Sequence, residues 1–144
     1  MIRIDFFQTA DKDELYQLFT EWDKNHRFDY DLFQDSLNKV STDPNSKILI
    51  AREDDQIVGY VQIYKCNLIG FETFYEVAQL LVAEEKRNQG IGKKIMQRVE
   101  EIALSENITT LKLSSQVHRT RAHLFYEELG YVYYKVSKFY QKKI

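Results

Sequence analysis

Residues that impose covalent or backbone constraints are scarce in this chain. Cysteine occurs once, at Cys66, so no intramolecular disulfide can form. Proline also occurs once, at Pro44, and glycine five times, which excludes collagen-like repetition and leaves no stretch with the composition of a linker. Charges and amides interrupt every apolar run before it approaches the ~18 residues of a membrane-crossing helix. Neither sign of charge dominates: 20 basic side chains stand against 22 acidic ones, for a net charge of -2, which does not suit a polybasic nucleic-acid binder. The N-terminus lacks the charged, apolar and small-residue sequence of a secretion signal. These absences lead us to expect a reducing, cytoplasmic setting, with neither a membrane nor nucleic acid as partner.

What is present is apolar and aromatic. Of 144 residues, 44% are hydrophobic and 14% aromatic, enough to bury one core, so residues 1–144 are expected to form a single domain. Ile2, Ile4 and Phe6 alternate with polar neighbours as a half-buried strand does. Leu15, Leu18, Phe19 and Trp22 recur at helical spacing after an acidic first turn, and a second helix is expected over 31–40. Residues 47–52 and 56–65 read as a hairpin across Glu53-Asp54-Asp55, and 71–82 as a third long strand. From Ile91 to Leu104 the apolar period is again helical. Residues 108–114 read as a strand, 118–129 as a helix closed by Gly130 with Phe125 and Leu129 in the core, and 131–139 as a final aromatic strand. The order β-α-α-β-β-β-α-β-α-β predicts an α+β fold whose mixed, mostly antiparallel sheet carries helices on both faces.

The segment with the most chemical content is 80–94, Leu-Leu-Val-Ala-Glu-Glu-Lys-Arg-Asn-Gln-Gly-Ile-Gly-Lys-Lys. A strand ends, a polar turn follows, and two glycines open a helix. The first amides of a helix lack internal partners and sit at the positive end of its dipole, so they favour an anion, phosphate above all. Two familiar phosphate motifs do not fit: a dinucleotide fingerprint needs glycine where Ile95 stands, and G-x-x-x-x-G-K-[ST] is absent. On the plainest reading, Gly90 and Gly92 merely start a helix and Gly130 merely ends one.

Arg87-x-x-Gly90-x-Gly92, following Leu80-Leu81-Val82, resembles the R/Q-x-x-G-x-G/A pyrophosphate turn of the GNAT N-acetyltransferases. Downstream, Ala122-His123-Leu124-Phe125-Tyr126-Glu127-Glu128-Leu129-Gly130-Tyr131 matches that family's A-x-x-F-Y-E-x-L-G-[FY]. The element order agrees along the whole chain. The resemblance implies the GNAT fold and transfer of an acetyl group from acetyl-CoA to an amine. It further implies that the main chain at Leu81 and Val82 pairs with the pantetheine arm, and that the amides of Arg87, Asn88, Gln89, Gly90, Ile91, Gly92 and Lys93 hold the pyrophosphate. Many members carry Asn where Arg119 stands here, so Arg119 is a candidate for a cofactor phosphate instead.

Thioester aminolysis needs a base for the ammonium and an acid for the departing thiolate. Tyr126 occupies the position of the family's acid, and a phenol with a pKa of about 10 keeps its proton at neutral pH. Glu76, a carboxylate in an apolar strand, resembles the family's base; the competing reading is a solvent-facing strand residue. Simple alternation places Glu76 with Ala78 and Leu80 on one face and Gln79 with Leu81 on the other. No cluster has metal-ligand spacing, so no metal is expected. Trp22, His26, Tyr30 and Tyr75, among carboxylates, suit an ammonium substrate. A small primary amine is the first expectation and a protein or peptide amine the second. A non-catalytic acyl-CoA-binding sensor is the reading from another class. The aromatic C-terminal strand can pack internally or supply the edge of a homodimer.

Overall fold

The computed structural model describes residues 1–144 and divides them into two compact units, Met1–Leu113 and Ser114–Ile144. The first unit is built on five strands: β1 (Ile2–Phe6), β2 (Ser46–Glu53), β3 (Gln56–Cys66), β4 (Phe74–Val82) and β5 (Leu111–Lys112). They lie in the order β1-β2-β3-β4-β5; the first four are antiparallel, and β5 joins β4 in parallel through Tyr75↔Leu111 and Glu76↔Lys112. Asp54 and Asp55 turn the β2–β3 hairpin with φ of 50° and 67°, the left-handed pair that matches strand twist in a two-residue loop.

Helices α1 (Lys12–Phe19) and α2 (Tyr30–Thr42) cover one face of the sheet, where Leu15, Leu18 and Phe33 pack on Ile48, Ile50, Tyr60 and Leu81. Asp29 caps α2 by accepting from the amides of Asp31 and Leu32. The other face carries α3 (Ile91–Ser105), whose Ile91, Ile95, Met96, Val99 and Ile102 are buried at the spacing read from the sequence. Gly59 on β3 sets how closely α3 approaches. A Cβ there would lie 3.1 Å from both the Ile95 side chain and the Leu81 carbonyl oxygen. Backbone cannot yield as a side-chain tip can, so Gly59→Ala is expected to destabilise the protein by about 1–3 kcal/mol, read from urea unfolding.

In the second unit α4 (Thr120–Glu128) ends on Gly130, whose φ is 94°. Gly130 donates to the Glu127 carbonyl and Tyr131 to that of Tyr126, the paired bonds that close a helix through a left-handed residue.

Several boundaries differ from the sequence reading. Trp22 lies in a separate 3-10 turn (Thr20–Trp22), α2 runs on to Thr42, and the third long strand starts at Phe74 rather than 71. The strand expected over 108–114 is reduced to β5. The final aromatic strand over 131–139 does not form: no regular element follows α4. Phe125 and Leu129, expected in the core, are only half-buried, and no side chain from Thr109 onward is fully buried. Sequence alternation reports a preference for pairing, but a strand exists only where another offers its edge. No helix is long and apolar enough to cross a membrane.

Candidate active site

The strand–turn–helix segment takes the form its composition suggests. Asn88 and Gly90 both adopt left-handed backbone, with φ of 63° and 80°, and Gly90 is the residue from which α3 springs. Lys94 donates the first helical bond, to the Gly90 carbonyl at 3.1 Å, so the amides of Ile91, Gly92 and Lys93 have no partner within the helix. Left-handed residues just ahead of a helix start aim successive amides into one concavity, an anion-binding arrangement. Beyond its two chain neighbours, nothing lies within 4 Å of the position a Cβ would take at Gly90, so the approach is open. Lys93 and Lys94 occupy a first turn that holds no acidic residue. Next to a positive helix end, lysines are unfavourable unless an anion joins them.

Beside this turn one edge of β4 is free. β5 pairs only with Tyr75 and Glu76, leaving Val77 to Val82 without a neighbour on that side. Ala83 donates to Val58 on β3 at 2.8 Å, so by alternation Leu81 also turns its main chain toward β3, and Leu80 and Val82 face the open edge. Leu81, expected to offer its main chain to a pantetheine arm, thus turns it to β3 instead, and the free edge is formed by Leu80 and Val82. The Arg87 guanidinium donates to the Val82 carbonyl at 3.0 Å, tying the turn to the strand end, and its amide donates to the Glu84 carbonyl at 3.3 Å, so the Arg87 amide expected to meet a pyrophosphate is already engaged.

A bulge decides which side chains of β4 act together. The register runs Glu76↔Tyr64, Val77↔Ile63, Gln79↔Gln62 and Leu81↔Tyr60, so Ala78 is the extra residue. Paired residues share a face, and Tyr60, Gln62 and Tyr64 lie on one face by alternation. Glu76, Gln79 and Leu81 therefore lie together, on the face covered by α1 and α2. The sequence alternation that separated Glu76 from Gln79 is overturned by this one-residue shift. Glu76 is half-buried, between Tyr64 on β3 and Lys112 on β5. Burial, helped by the nearby Glu76 charge, raises the pKa of both the Tyr64 phenol and the Cys66 thiol.

Farther along this face the Trp22 indole donates to the Tyr60 hydroxyl at 2.7 Å, and Tyr60 donates to Gln79 Oε1 at 2.8 Å. Tyr60 is buried, which holds its hydroxyl well above the usual phenol range. Trp22 thus reaches the site through Tyr60 and Gln79, two residues that sequence reasoning missed. No period could have singled them out, because their meeting depends on the bulge. Glu84, where the turn begins, donates its amide to Glu21 Oε1 at 2.9 Å and pairs its carboxylate with Lys24, binding the turn to the chain after α1.

Of the other candidates for substrate contact, His26 and Tyr30 line a cleft of about 680 Å³ with Tyr16, Thr20, Arg27 and Phe28. The Tyr30 hydroxyl donates to Asp13 at 2.5 Å, which leaves the ring as the available surface. Tyr75 is not in this group. It is 0% exposed, under α3, and its hydroxyl donates to Glu106 at 2.5 Å, so it cannot touch a substrate. Burial opposes ionisation of Glu106, but hydrogen bonds from Lys65 and Tyr75 outweigh it and hold the carboxyl below its ordinary range. That contribution to stability is complete above the ordinary carboxylate pKa of ~4.3 and disappears as pH falls through the lowered folded value. Glu106→Gln is expected to flatten the loss of stability between pH 5 and 3, measured by urea unfolding across that range.

In the second unit Tyr126 is half-buried on α4, with its ring against Phe125 (5.2 Å) and Tyr131 (5.8 Å). Burial raises the phenol above its ordinary pKa, opposed by the charge of Arg119. The group is a proton donor throughout the neutral range. His123 makes a ring-nitrogen hydrogen bond to the Gln116 carbonyl at 2.8 Å, which fixes it locally. No group of histidine, cysteine and acidic residues could hold a metal ion.

The model of the Acetyltransferase (GNAT) family matches residues 9–131. An aminoalkylphosphonate N-acetyltransferase of Salmonella typhimurium is 31% identical over 129 residues, covering 85% of this chain and 80% of that protein. Among solved structures, AAC(6')-Iy in complex with the bisubstrate analogue CoA-S-monomethyl-acetylneamine superposes with a TM-score of 0.87 at 14% identity, covering 100% of this chain and 99% of the other. The aminoglycoside 6'-N-acetyltransferase AAC(6')-Ih from Acinetobacter baumannii gives 0.84 at 17% identity, with the same coverage.

Proposed function

Because this chain belongs to the GNAT family of N-acetyltransferases, we propose that it moves the acetyl group of acetyl-CoA onto the primary amine of a small molecule. The observation that carries the reading is the left-handed turn at Asn88 and Gly90 opening α3 beside the free edge of β4. Its unpaired amides and neighbouring lysines suit a pyrophosphate, and a strand edge suits an amide-bearing arm such as pantetheine. Acetyl-CoA supplies an activated acyl group and a thiolate leaving group. Gly90, Ile91, Gly92 and Lys93, with Asn88 and Gln89 ahead of them, hold the phosphates, and the main chain of Leu80 and Val82 orients the arm. Arg119 adds a cation. The family match spans 9–131, which favours one domain over 1–144.

Glu76 takes the ammonium proton through a water, so that the amine carries a free lone pair. Tyr126 gives its proton to the departing thiolate sulfur. Trp22, His26 and Tyr30 supply ring faces to the ammonium before it is deprotonated. The relatives that act on an aminoalkylphosphonate and on aminoglycosides support a small, polar amine over a protein or peptide amine. A protein carrying no transmembrane helix and one unpaired cysteine suits a cytoplasmic site of action.

Consumption of acetyl-CoA across a panel of aminoalkylphosphonates, aminoglycosides, polyamines, amino acids and peptides tests this directly. Turnover confined to peptides would overturn the small-molecule reading; saturable acetyl-CoA binding without turnover on any amine would favour the sensor. With the best acceptor, Glu76→Gln is expected to lower kcat by about 10²-fold at pH 7. The deficit should narrow as pH approaches the pKa of the acceptor ammonium, where free amine forms without a base. A deficit that is constant with pH would assign Glu76 a structural role instead.

A further inference from the structure

We infer that Gln79 selects the acceptor of the acetyl-transfer reading, on which the inference rests: its carboxamide nitrogen donates to an oxyanion that the substrate carries a short spacer away from the amine served by Glu76. Three side chains are bonded in series. The Trp22 indole donates to the Tyr60 hydroxyl at 2.7 Å, and Tyr60 donates to Gln79 Oε1 at 2.8 Å.

The series has one satisfactory direction. An indole N–H donates and accepts nothing, so the Tyr60 oxygen accepts, and its single hydrogen is left for the next partner. Tyr60 is only 4% exposed. Turned the other way, Gln79 would offer Tyr60 a second donor and leave the phenol hydrogen buried without an acceptor, a costly arrangement. With Oε1 held by Tyr60, the carboxamide nitrogen takes no part in the series and keeps both hydrogens for another partner. Burial keeps the Tyr60 proton in place well above the usual phenol range, so the direction does not reverse near neutral pH. The series therefore ends in a pair of donors whose orientation Trp22 and Tyr60 fix.

The β4 bulge sets those donors beside the candidate base. Ala78 is the extra residue, so Glu76 and Gln79 are consecutive on the face that also carries Leu81. Consecutive residues on one strand face stand about 6.6 Å apart. Leu81, next along, is buried, whereas Glu76 and Gln79 are both half-buried and so partly open to a ligand. A molecule that meets Glu76 through a water at its amine end can thus reach Gln79 with an oxygen at its other end. An oxyanion suits these donors best, because a hydrogen bond with one charged partner is roughly twice as strong as a neutral one. An alkyl chain suits them least: it would strip water from the carboxamide and return nothing.

The experiment compares kcat/KM on 2-aminoethylphosphonate and on β-alanine with that on n-propylamine, which has no oxygen. The wild-type chain should prefer at least one of the two oxyanions by about 10-fold or more. Gln79→Glu keeps the shape of the side chain and an acceptor for Tyr60, but puts a carboxylate oxygen where the donors were. The preference should fall by about 10-fold or more, with the difference in KM. Gln79→Met, which keeps the length without either polar atom, should abolish it too. Tyr60→Phe leaves the carboxamide present but unheld, and should lower the preference by a smaller factor. A preference that survives Gln79→Glu but not Gln79→Met would overturn the inference, since it would show that Gln79 serves only to satisfy Tyr60. An equal fall on every amine would overturn it as well, by assigning the carboxamide to the thioester carbonyl common to all the reactions. Wild-type turnover confined to amines without an oxyanion would refute this inference alone. Turnover on no amine at all would remove the acetyl-transfer reading, and this inference with it.

Discussion

Tyr126→Phe is expected to reduce turnover by 10²-fold or more while leaving acetyl-CoA affinity unchanged, measured by kcat on the best acceptor and by calorimetry. The substitution removes one oxygen from a half-buried ring and keeps the contacts with Phe125 and Tyr131, so the fold has little reason to respond. What disappears is a proton. Burial raises the pKa of this phenol above its ordinary value, with Arg119 opposing, so the acid form persists across the neutral range. Activity that depends on the acid form is lost as pH rises through the folded pKa. The alkaline limb that Tyr126 sets must therefore lie above the ordinary phenol value of about 10. A Tyr126→Phe enzyme that turned over at the wild-type rate would remove Tyr126 from the mechanism.

Gly90→Glu is expected to weaken acetyl-CoA binding by at least ~10²-fold, since losing even one charge-assisted hydrogen bond to phosphate costs about 1.5–3 kcal/mol and the new carboxylate repels the rest. Beyond its two chain neighbours, nothing in the protein lies within 4 Å of the introduced Cβ, so the side chain extends into the space left for what binds there. Backbone cost is separable. With φ at 80°, any residue with a Cβ is strained by about 1–2 kcal/mol, and Gly90→Ala measures that contribution alone. Calorimetry should show Ala reducing affinity slightly and Glu abolishing it, in variants that unfold cooperatively. Gly92→Glu, within the first turn of α3, should behave similarly. Unchanged affinity in a folded Gly90→Glu variant would remove the phosphates from this turn.

Short-range and long-range forces shape different parts of this fold. The apolar period of α3, the acidic pair that turns the β2–β3 hairpin and Gly90 at the helix start are local in origin. Each follows from a dihedral preference or from the repeat of one element, and each is found where the sequence places it. The two motifs shared with GNAT proteins are local as well. The burial of Tyr75 was not legible, because an aromatic in a strand reads alike whether α3 or water lies above it. Nor was the grouping of Glu76 with Gln79 and Tyr60: a bulge belongs to a pair of strands, and no single strand's alternation reveals the extra residue.

By itself, then, the sequence determined where the four helices and the four antiparallel strands lie, which helix start leaves its amides open to an anion, and which family the chain resembles. Only the tertiary structure decided which face of β4 carries the candidate base, that Leu80 rather than Leu81 meets the open edge, and that Tyr75 is structural. It also decided that no regular element follows α4. Dihedral preference and period are written residue by residue, whereas register, burial and pairing depend on what another segment brings to the same place.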